Sequence, residues 1–179
     1  MGLGVVLLPL LGTMACLGGV MDDYSRAGKW DIYGTGLYDH INPGGVGVDV
    51  YCGGIGVGYN FIDQLNAHLE FVAGSTSAFS DLDSGSASVY GGDIGLDYNF
   101  LKKHLTPFVG AGLGYWRFSS GGNYQGYLFP YAGLGLRWDI DDRWFAKAEY
   151  RLSYMETVSL GENEDTAGNG IFLSVGFKF

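Results

Sequence analysis

The sequence predicts an all-β protein, an eight-stranded antiparallel up-and-down β-barrel that spans a membrane. Three observations support this prediction. Apolar residues alternate with polar residues or glycine along most of the chain, and a period of two is the pattern of β-strands. The alternating segments run for about 10 to 15 residues, whereas strands of soluble proteins average about five or six. Glycine is abundant, at 32 of 179 residues, and repeatedly occupies one face of these segments.

The composition argues against several other classes of protein. Aromatic residues make up 16% of the chain, which is too many for a disordered protein. Glycine follows no three-residue period and only 4 residues are proline, so the chain is not a collagen. The net charge of −9 argues against a nucleic-acid partner, because binding phosphate requires a basic surface. The 2 cysteines, Cys16 and Cys52, provide no disulfide framework.

The chain begins with an uncharged apolar segment. Residues 1–20 are typical of the apolar core of a secretory signal peptide, with cleavage after a small residue. A membrane-anchoring helix is the alternative, but Pro9 and the five glycines of this segment disfavour a helix. We expect residues 21–28 to lead into a barrel formed by residues 29–179.

The alternation predicts which face of each strand contacts lipid. Along residues 107–116, apolar side chains alternate with Gly110, Gly112 and Gly114. Glycines on one face cannot build a hydrophobic core, but they make room inside a narrow barrel. The apolar face is therefore expected to contact lipid, and the small, polar and charged face is expected to line the interior. The eight predicted strands cover residues 29–38, 46–60, 65–75, 87–100, 105–118, 127–139, 143–156 and 169–179.

The connections between the predicted strands alternate between tight and long. The long connections are rich in Gly, Ser, Asn and Asp, and they contain acidic residues but no Lys or Arg. An acidic, solvated rim is therefore expected at one end of the barrel. The long connections cover residues 39–45, 76–86, 119–126 and 157–168. The acidic residues of the rim are Asp39, Asp81, Asp83, Glu162, Glu164 and Asp165.

Charged residues on the inward face form the candidate site. In a barrel interior too narrow for water to flow, buried charges require partners of opposite sign. We therefore predict a salt-bridged plug, with a proton or ion path as the alternative. The predicted network comprises Glu70, Asp93, Asp97, Arg137, Lys147, Glu149, Arg151 and Lys178, with His68 and Asn99 nearby.

Three segments resemble a known family. Residues 170–179 alternate apolar residues and end on an aromatic one, residues 107–114 are rich in glycine, and Leu69-Glu70-Phe71 follow a tight turn. Residues 29–179 thereby resemble the small eight-stranded outer-membrane proteins of the OmpA, OmpX and OmpW kind. The resemblance implies a barrel in the bacterial outer membrane with both termini, and thus the lead-in, in the periplasm.

The resemblance also implies partners. These are outer-membrane lipids or lipopolysaccharide, and the barrel assembly machinery. The assembly signal that this machinery reads would consist of Phe179, Phe177 and Val175, the apolar residues that close the chain. The protein is expected to be a monomer.

The predicted function is a structural role, or surface interaction through the acidic loops, without catalysis, cofactor or metal. One alternative is a narrow channel or carrier for small hydrophobic molecules. The second alternative is an enzyme that modifies lipid A. No histidine of the chain is followed two positions later by Ser, as in the lipid A deacylases. His40 and the pair Asp83-Ser84 are similar to residues used by lipid A palmitoyltransferases, but Asp-Ser pairs are common in loops.

Overall fold

The computed structural model describes residues 24–42, 47–76, 87–120, 123–157 and 166–179. They form a closed barrel of eight antiparallel strands, which confirms the predicted fold. The strands are β1 (Trp30–Ile41), β2 (Val48–Asn60), β3 (Leu65–Thr76), β4 (Ser88–Asn99), β5 (Leu105–Ser120), β6 (Asn123–Asp139), β7 (Trp144–Thr157) and β8 (Thr166–Lys178). Each strand pairs with its neighbours in the chain, and β1 pairs with β8 to close the barrel. The described residues contain no helix long and apolar enough to cross a membrane.

Glycines on the inward face make room for aromatic side chains from the adjacent strand. Gly112 and Gly114 of β5 pair with Tyr131 and Phe129 of β6. A Cβ atom on Gly112 would lie 2.6 Å from the hydroxyl of Tyr131, and one on Gly114 would collide with the ring of Phe129. The glycine face therefore lines the interior, as the alternation predicts, because larger residues there would displace these rings.

The two ends of the barrel have different connections. The start of β1 and the end of β8 lie at one end, which we call the terminal end, where the connections cover residues 61–64, 100–104 and 140–143. The opposite end, the distal end, has the connections 42–47, 77–87, 121–122 and 158–165. Three of these four are longer than the turns of the terminal end, in agreement with the predicted alternation.

Several strands extend further towards the distal end than the sequence predicts. The segment 119–126 is rich in Ser, Gly and Asn and was expected to be a loop. In the structure Ser119 pairs with Tyr124 and Ser120 with Asn123, so the β5–β6 hairpin continues through most of it. Antiparallel pairing uses backbone groups, and a polar sequence can therefore continue a hairpin. The β6–β7 ladder is interrupted beside Pro130, which has no N–H to donate.

Candidate functional site in the barrel interior

The buried ion pairs of the described residues form two clusters inside the barrel, of which the first surrounds Asp139 at the end of β6. The Asp139 carboxylate lies 2.8 Å from Nζ of Lys178, 3.2 Å from Nε of Arg137 and 2.6 Å from Nε of Arg26. Arg137 also pairs with Asp31 of β1, with Nη1 2.8 Å from Oδ2. All five side chains are buried, so each charge depends on its partners rather than on water. We call these five residues the terminal cluster.

Residues that precede β1 cover the terminal end. Arg26 donates hydrogen bonds to the carbonyl oxygens of Leu101 and Lys103 in the β4–β5 connection. The Tyr24 ring packs on the same side, with its centroid 4.5 Å from Nζ of Lys178. The segment 24–29 therefore does more than lead into the barrel, because its side chains complete the terminal cluster.

Asp63, in the β2–β3 connection, accepts hydrogen bonds from the segment 24–29. Its Oδ1 accepts hydrogen bonds from Oγ of Ser25 at 2.8 Å and from the backbone N–H groups of Arg26 at 3.0 Å and Ala27 at 3.2 Å. Its Oδ2 lies 3.1 Å from Nζ of Lys102. Partial burial acts to raise the pKa of Asp63, but these hydrogen bonds favour the charged form more strongly and lower the pKa to about 2. Ionised Asp63 therefore anchors the segment at neutral pH.

The second cluster is centred on Arg151 of β7. The Arg151 guanidinium donates hydrogen bonds to Glu149 at 2.8 Å and to Asp93 at 3.1 Å, and it lies 3.9 Å from Glu70. Its other side faces an aromatic ring, with Cζ 3.9 Å from the ring centroid of Phe172. One cation thus forms ion pairs with three buried carboxylates at the middle of the barrel.

His68 connects these groups to the remaining members of the cluster. Its Nε2 lies 2.9 Å from the hydroxyl of Tyr131 and 3.6 Å from Asp93, and its Nδ1 lies 3.5 Å from Asp97. Asp97 also accepts a hydrogen bond from Nζ of Lys147 at 2.7 Å. A protonated His68 would supply a third cation to a group that holds four carboxylates. The central cluster comprises His68, Glu70, Asp93, Asp97, Lys147, Glu149 and Arg151.

Towards the distal end the interior becomes apolar. Trp116 packs against Phe129, with ring centroids 5.2 Å apart, and against Phe118 at 6.3 Å. The sequence predicts small, polar and charged residues on the inward face, and the structure corrects this for the distal half. The glycines of β5 free space that aromatic rings fill. This distal apolar cluster comprises Leu37, Ile41, Val48, Val50, Cys52, Val72, Val89, Trp116, Phe118, Phe129, Tyr131 and Phe172.

All eight residues of the predicted network point into the barrel, but they belong to two clusters. Arg137 and Lys178 lie in the terminal cluster, and the other six lie in the central cluster. The prediction omits Asp31, Asp139 and Arg26. The alternation places Asp139 on the inward face beside Arg137, so that signal was present in the sequence. Arg26 precedes the first strand, where no alternation could indicate its direction.

The sequence predicts Asp39 in a loop, but the structure places it in β1, where it is only 3% exposed. The reason is that β1 continues to Ile41, so Asp39 falls on the same inward face as Leu37. The other acidic residues predicted for the rim lie outside the described residues, so the acidic loops remain a prediction. They are Asp81, Asp83, Glu162, Glu164 and Asp165.

His40 lies at the distal rim, where it pairs with Asp49 of β2. His40 Nδ1 and Tyr38 Oη lie 2.7 Å and 2.9 Å from the same Asp49 oxygen. Asp83 and Ser84, the residues compared with those of palmitoyltransferases, fall outside the described ranges. Within those ranges, no hydroxyl or thiol is hydrogen-bonded to Nε2 of His40, and no three His, Cys, Asp or Glu side chains are grouped to hold a metal. In the described part of the rim, Tyr38 and His40 thus share one carboxylate oxygen of Asp49.

The three residues of the predicted assembly signal lie on the outward face of the end of β8. Val175 and Phe179 are 57% and 66% exposed, and the Phe177 ring lies 5.5 Å from that of Trp144. The backbone of Phe179 pairs with that of Trp30, through hydrogen bonds of 2.8 Å and 3.0 Å. The Phe179 side chain is thus available to an external partner while its backbone closes the barrel.

Comparison with known proteins agrees with this architecture. The family described as outer membrane protein beta-barrel domain matches residues 8–179. No curated protein matches the chain. Among solved structures, Neisserial surface protein A (NspA) is similar, at 16% identity, with a TM-score of 0.69 over 85% of this chain and 99% of that one.

Two further structures share the fold. The N-terminal β-barrel domain of Pseudomonas aeruginosa OprF is 22% identical, with a TM-score of 0.51 over 83% of this chain and 97% of that one. Ail, the attachment invasion locus protein of Yersinia pestis, is 17% identical, with a TM-score of 0.55 over 86% of this chain and 99% of that one. Because the family match spans nearly the whole sequence and the barrel agrees with it, the chain belongs to the outer membrane protein β-barrel domain family of the bacterial outer membrane.

Proposed function

We propose that this protein is a closed, non-enzymatic outer-membrane barrel that conducts no solute and acts as a structural or surface-interacting component. One observation carries the proposal. Inward side chains occupy the barrel at three successive levels, namely the terminal cluster, the central cluster and the distal apolar cluster. The segment 24–29 also covers the terminal end.

The chemistry of these levels disfavours the flow of ions. A conducting pore solvates its charges, whereas Glu70, Arg137 and Asp139 are at most 2% exposed and are neutralised by one another or by their neighbours. An ion that entered from the distal side would have to displace the buried rings of Trp116 and Phe129. It would then lose its hydration among apolar groups, at a cost of several kcal/mol or more.

The ends of the barrel support an orientation. Outer-membrane barrels have short periplasmic turns and longer extracellular loops. We assign the terminal end, with its short turns and both termini, to the periplasm, and the distal end to the cell surface. The acidic distal connections are then the candidate contact surface. Lipopolysaccharide and other outer-membrane lipids surround the barrel, which we propose to be a monomer.

Conductance measurements test this proposal. The purified protein, reconstituted into planar lipid bilayers, is expected to give no steps of ion current, and a general porin added to the same bilayer serves as the positive control. Steady single-channel currents from the native protein, absent after heat denaturation, would contradict a closed barrel. Protein-dependent uptake of a hydrophobic solute into cells would instead favour the carrier alternative.

The end of β8 has a separate proposed role in assembly. We propose that Phe179, with Phe177 and Val175, is the signal read by the barrel assembly machinery, because its exposed side chain contributes little to the interior. Phe179→Ala is expected to reduce insertion in cells while leaving refolding in detergent unchanged. Phe61→Ala, which also removes an exposed ring on the lipid side, is the control. A similar loss in cells and in detergent would make Phe179 a stability residue instead.

A further inference from the structure

The outward face of the barrel has an apolar groove over β3, β4 and β5. The groove has a volume of about 720 Å³, within the range of about 300–1,000 Å³ that is typical of small-molecule sites. Its walls include Phe71, Tyr90, Leu113 and Tyr115, all on the lipid-facing side. A groove of this composition in a bilayer is a site for hydrocarbon.

The groove exists because one outward position has no side chain. Gly92 of β4 pairs with Phe71 on one side and Tyr115 on the other, so the outward row at this level has a gap between two rings. A Cβ atom at Gly92 would lie 3.1 Å from Cδ1 of Phe71, which shows how closely that ring approaches the strand. On the other side, the Tyr115 hydroxyl leans towards Gly126 of β6, away from the gap.

A single cation lies at the distal edge of this groove. All 10 Lys and Arg residues of the chain fall within the described ranges, and of these Arg117 alone lies on the outward face in the distal half. Its guanidinium lies 5.7 Å from the ring centroid of Tyr90, which lines the groove, and 4.0 Å from that of Tyr124. Its Nε is buried and has no hydrogen-bond partner among the described residues.

A guanidinium at the edge of an apolar groove is complementary to a molecule with a hydrocarbon part and an anionic part. Hydrocarbon fits the groove, and an anionic oxygen satisfies Arg, which recognises phosphate well. The two aromatic rings hold the guanidinium in place, so little side-chain entropy is lost on binding. A phosphorylated lipid provides both groups, with its phosphate at the level of the bilayer surface.

We propose that this groove binds an acyl chain of lipid A and that Arg117 binds one of its phosphates. The choice of lipid A rests on the proposed orientation, since the distal end then lies in the outer leaflet, where lipid A resides. The proposal makes the face formed by β3, β4 and β5 a specific lipid site and leaves the opposite face of the barrel as ordinary lipid contact.

Native mass spectrometry of the folded protein in detergent tests the proposal. The protein is titrated with lipid A, with dephosphorylated lipid A and with phosphatidylglycerol. One molecule of lipid A is expected to stay bound, and removing its phosphates is expected to weaken binding about tenfold or more, as for the loss of a charge-assisted hydrogen bond. This comparison uses the native protein and so does not depend on whether any variant folds.

Two pairs of variants assign the binding to this site. Arg117→Gln is expected to weaken lipid A binding about tenfold, whereas Arg143→Gln, which removes the same charge from the terminal end, is expected to have no effect. Leu113→Trp fills the groove and is expected to reduce binding. Leu152→Trp places the same bulk on the lipid face of β7, outside the groove, and is expected to leave binding unchanged. Each variant is first checked for a folded barrel by its gel mobility with and without boiling.

Several results would overturn the proposal. Equal binding of lipid A and its dephosphorylated form would exclude a phosphate site, and equal effects of Arg117→Gln and Arg143→Gln would exclude Arg117. Tighter binding of phosphatidylglycerol would assign the site to another lipid. Assembly of two protein copies through this face, lost in Leu113→Trp, would make the groove a dimer contact. Because the measurement is made in detergent, conductance in bilayers could contradict the closed barrel without affecting this result.

Discussion

The two halves of the barrel interior are filled in opposite ways. The half towards the terminal end contains six buried carboxylates and five Lys or Arg side chains, arranged in the terminal and central clusters. The distal half contains mostly aromatic and aliphatic side chains, and the carboxylate of Asp39 is also buried there. The same strands build both halves, since β6 contributes Arg137 and Asp139 to one and Phe129 to the other. Alternation therefore determines whether a side chain points inward, but the neighbours at each level determine which chemistry is stable there.

The two halves also differ in how they tolerate change. A buried ion pair depends on both partners, because removing one leaves the other charge without compensation. An apolar cluster depends on volume, and it accepts substitutions that keep the volume similar. Two kinds of substitution can therefore be compared. Removing one charged partner in the half towards the terminal end is expected to destabilise the barrel more than a volume-conserving change in the distal half.

The largest effect is expected for Arg151→Ala. This substitution leaves Glu149, Asp93 and Glu70 without their shared cation, and breaking a buried pair typically costs about 3–5 kcal/mol. The free energy of unfolding is measured with urea in lipid vesicles. Lys102→Ala, which removes an exposed partner of Asp63, is the control, with an expected cost of about 0–1 kcal/mol. Similar losses for both variants would mean that water reaches the central cluster.

A smaller effect is expected for Arg26→Ala. The substitution removes the charge-assisted hydrogen bonds of a buried guanidinium, and a net cost of about 1.5–3 kcal/mol is expected. Asp139 keeps Lys178 and Arg137, so its charge stays compensated. The same urea titration gives the loss of stability, and Lys29→Ala in the same segment is the control. A loss of stability as large as that of Arg151→Ala would show that Lys178 and Arg137 do not compensate the charge of Asp139 without Arg26.

Phe129→Leu tests the distal half. The change keeps an apolar side chain of similar size among Trp116 and its neighbours, so a cost below about 1.5 kcal/mol is expected. Unfolding in urea is compared with that of Arg151→Lys, which keeps the charge but loses the bidentate contact with Glu149 and the stacking on Phe172. If Phe129→Leu cost more than Arg151→Lys, the difference between the two halves would be the reverse of the one proposed.

The smallest effect is expected for Asp63, and it depends on pH. Its pKa in the folded protein is about 2, below the ordinary value of 3.8, so ionised Asp63 adds stability that is present above about pH 4 and is lost as the pH falls towards 2. Asp63→Asn is therefore expected to be less stable than the native protein at pH 6, with the difference shrinking towards pH 2. Urea midpoints across this range measure it. A difference that stays constant with pH would assign the effect to hydrogen bonding alone.

The barrel could be predicted from the sequence because period-two alternation sets the direction of each side chain independently of its partners. The same pattern placed all eight predicted charged residues inside. It could not show that Arg137 and Lys178 belong to a different cluster from Arg151, because that grouping depends on strand register. Nor could it show the aromatic filling of the distal half, since the room for Phe129 comes from Gly114 on another strand. Arg26 was missed because its position depends on turns far away in sequence.

The segment before β1 has a consequence for the lifetime of the folded state. Arg26 contacts residues that lie 37 to 113 positions later in the chain, in two different turns and at the end of β6. These contacts can form only after the hairpins that carry those turns have been brought together. Interactions that form after the rate-limiting step slow unfolding without accelerating folding. We therefore expect the segment to lengthen the time for which the closed barrel persists without changing the rate at which the barrel forms.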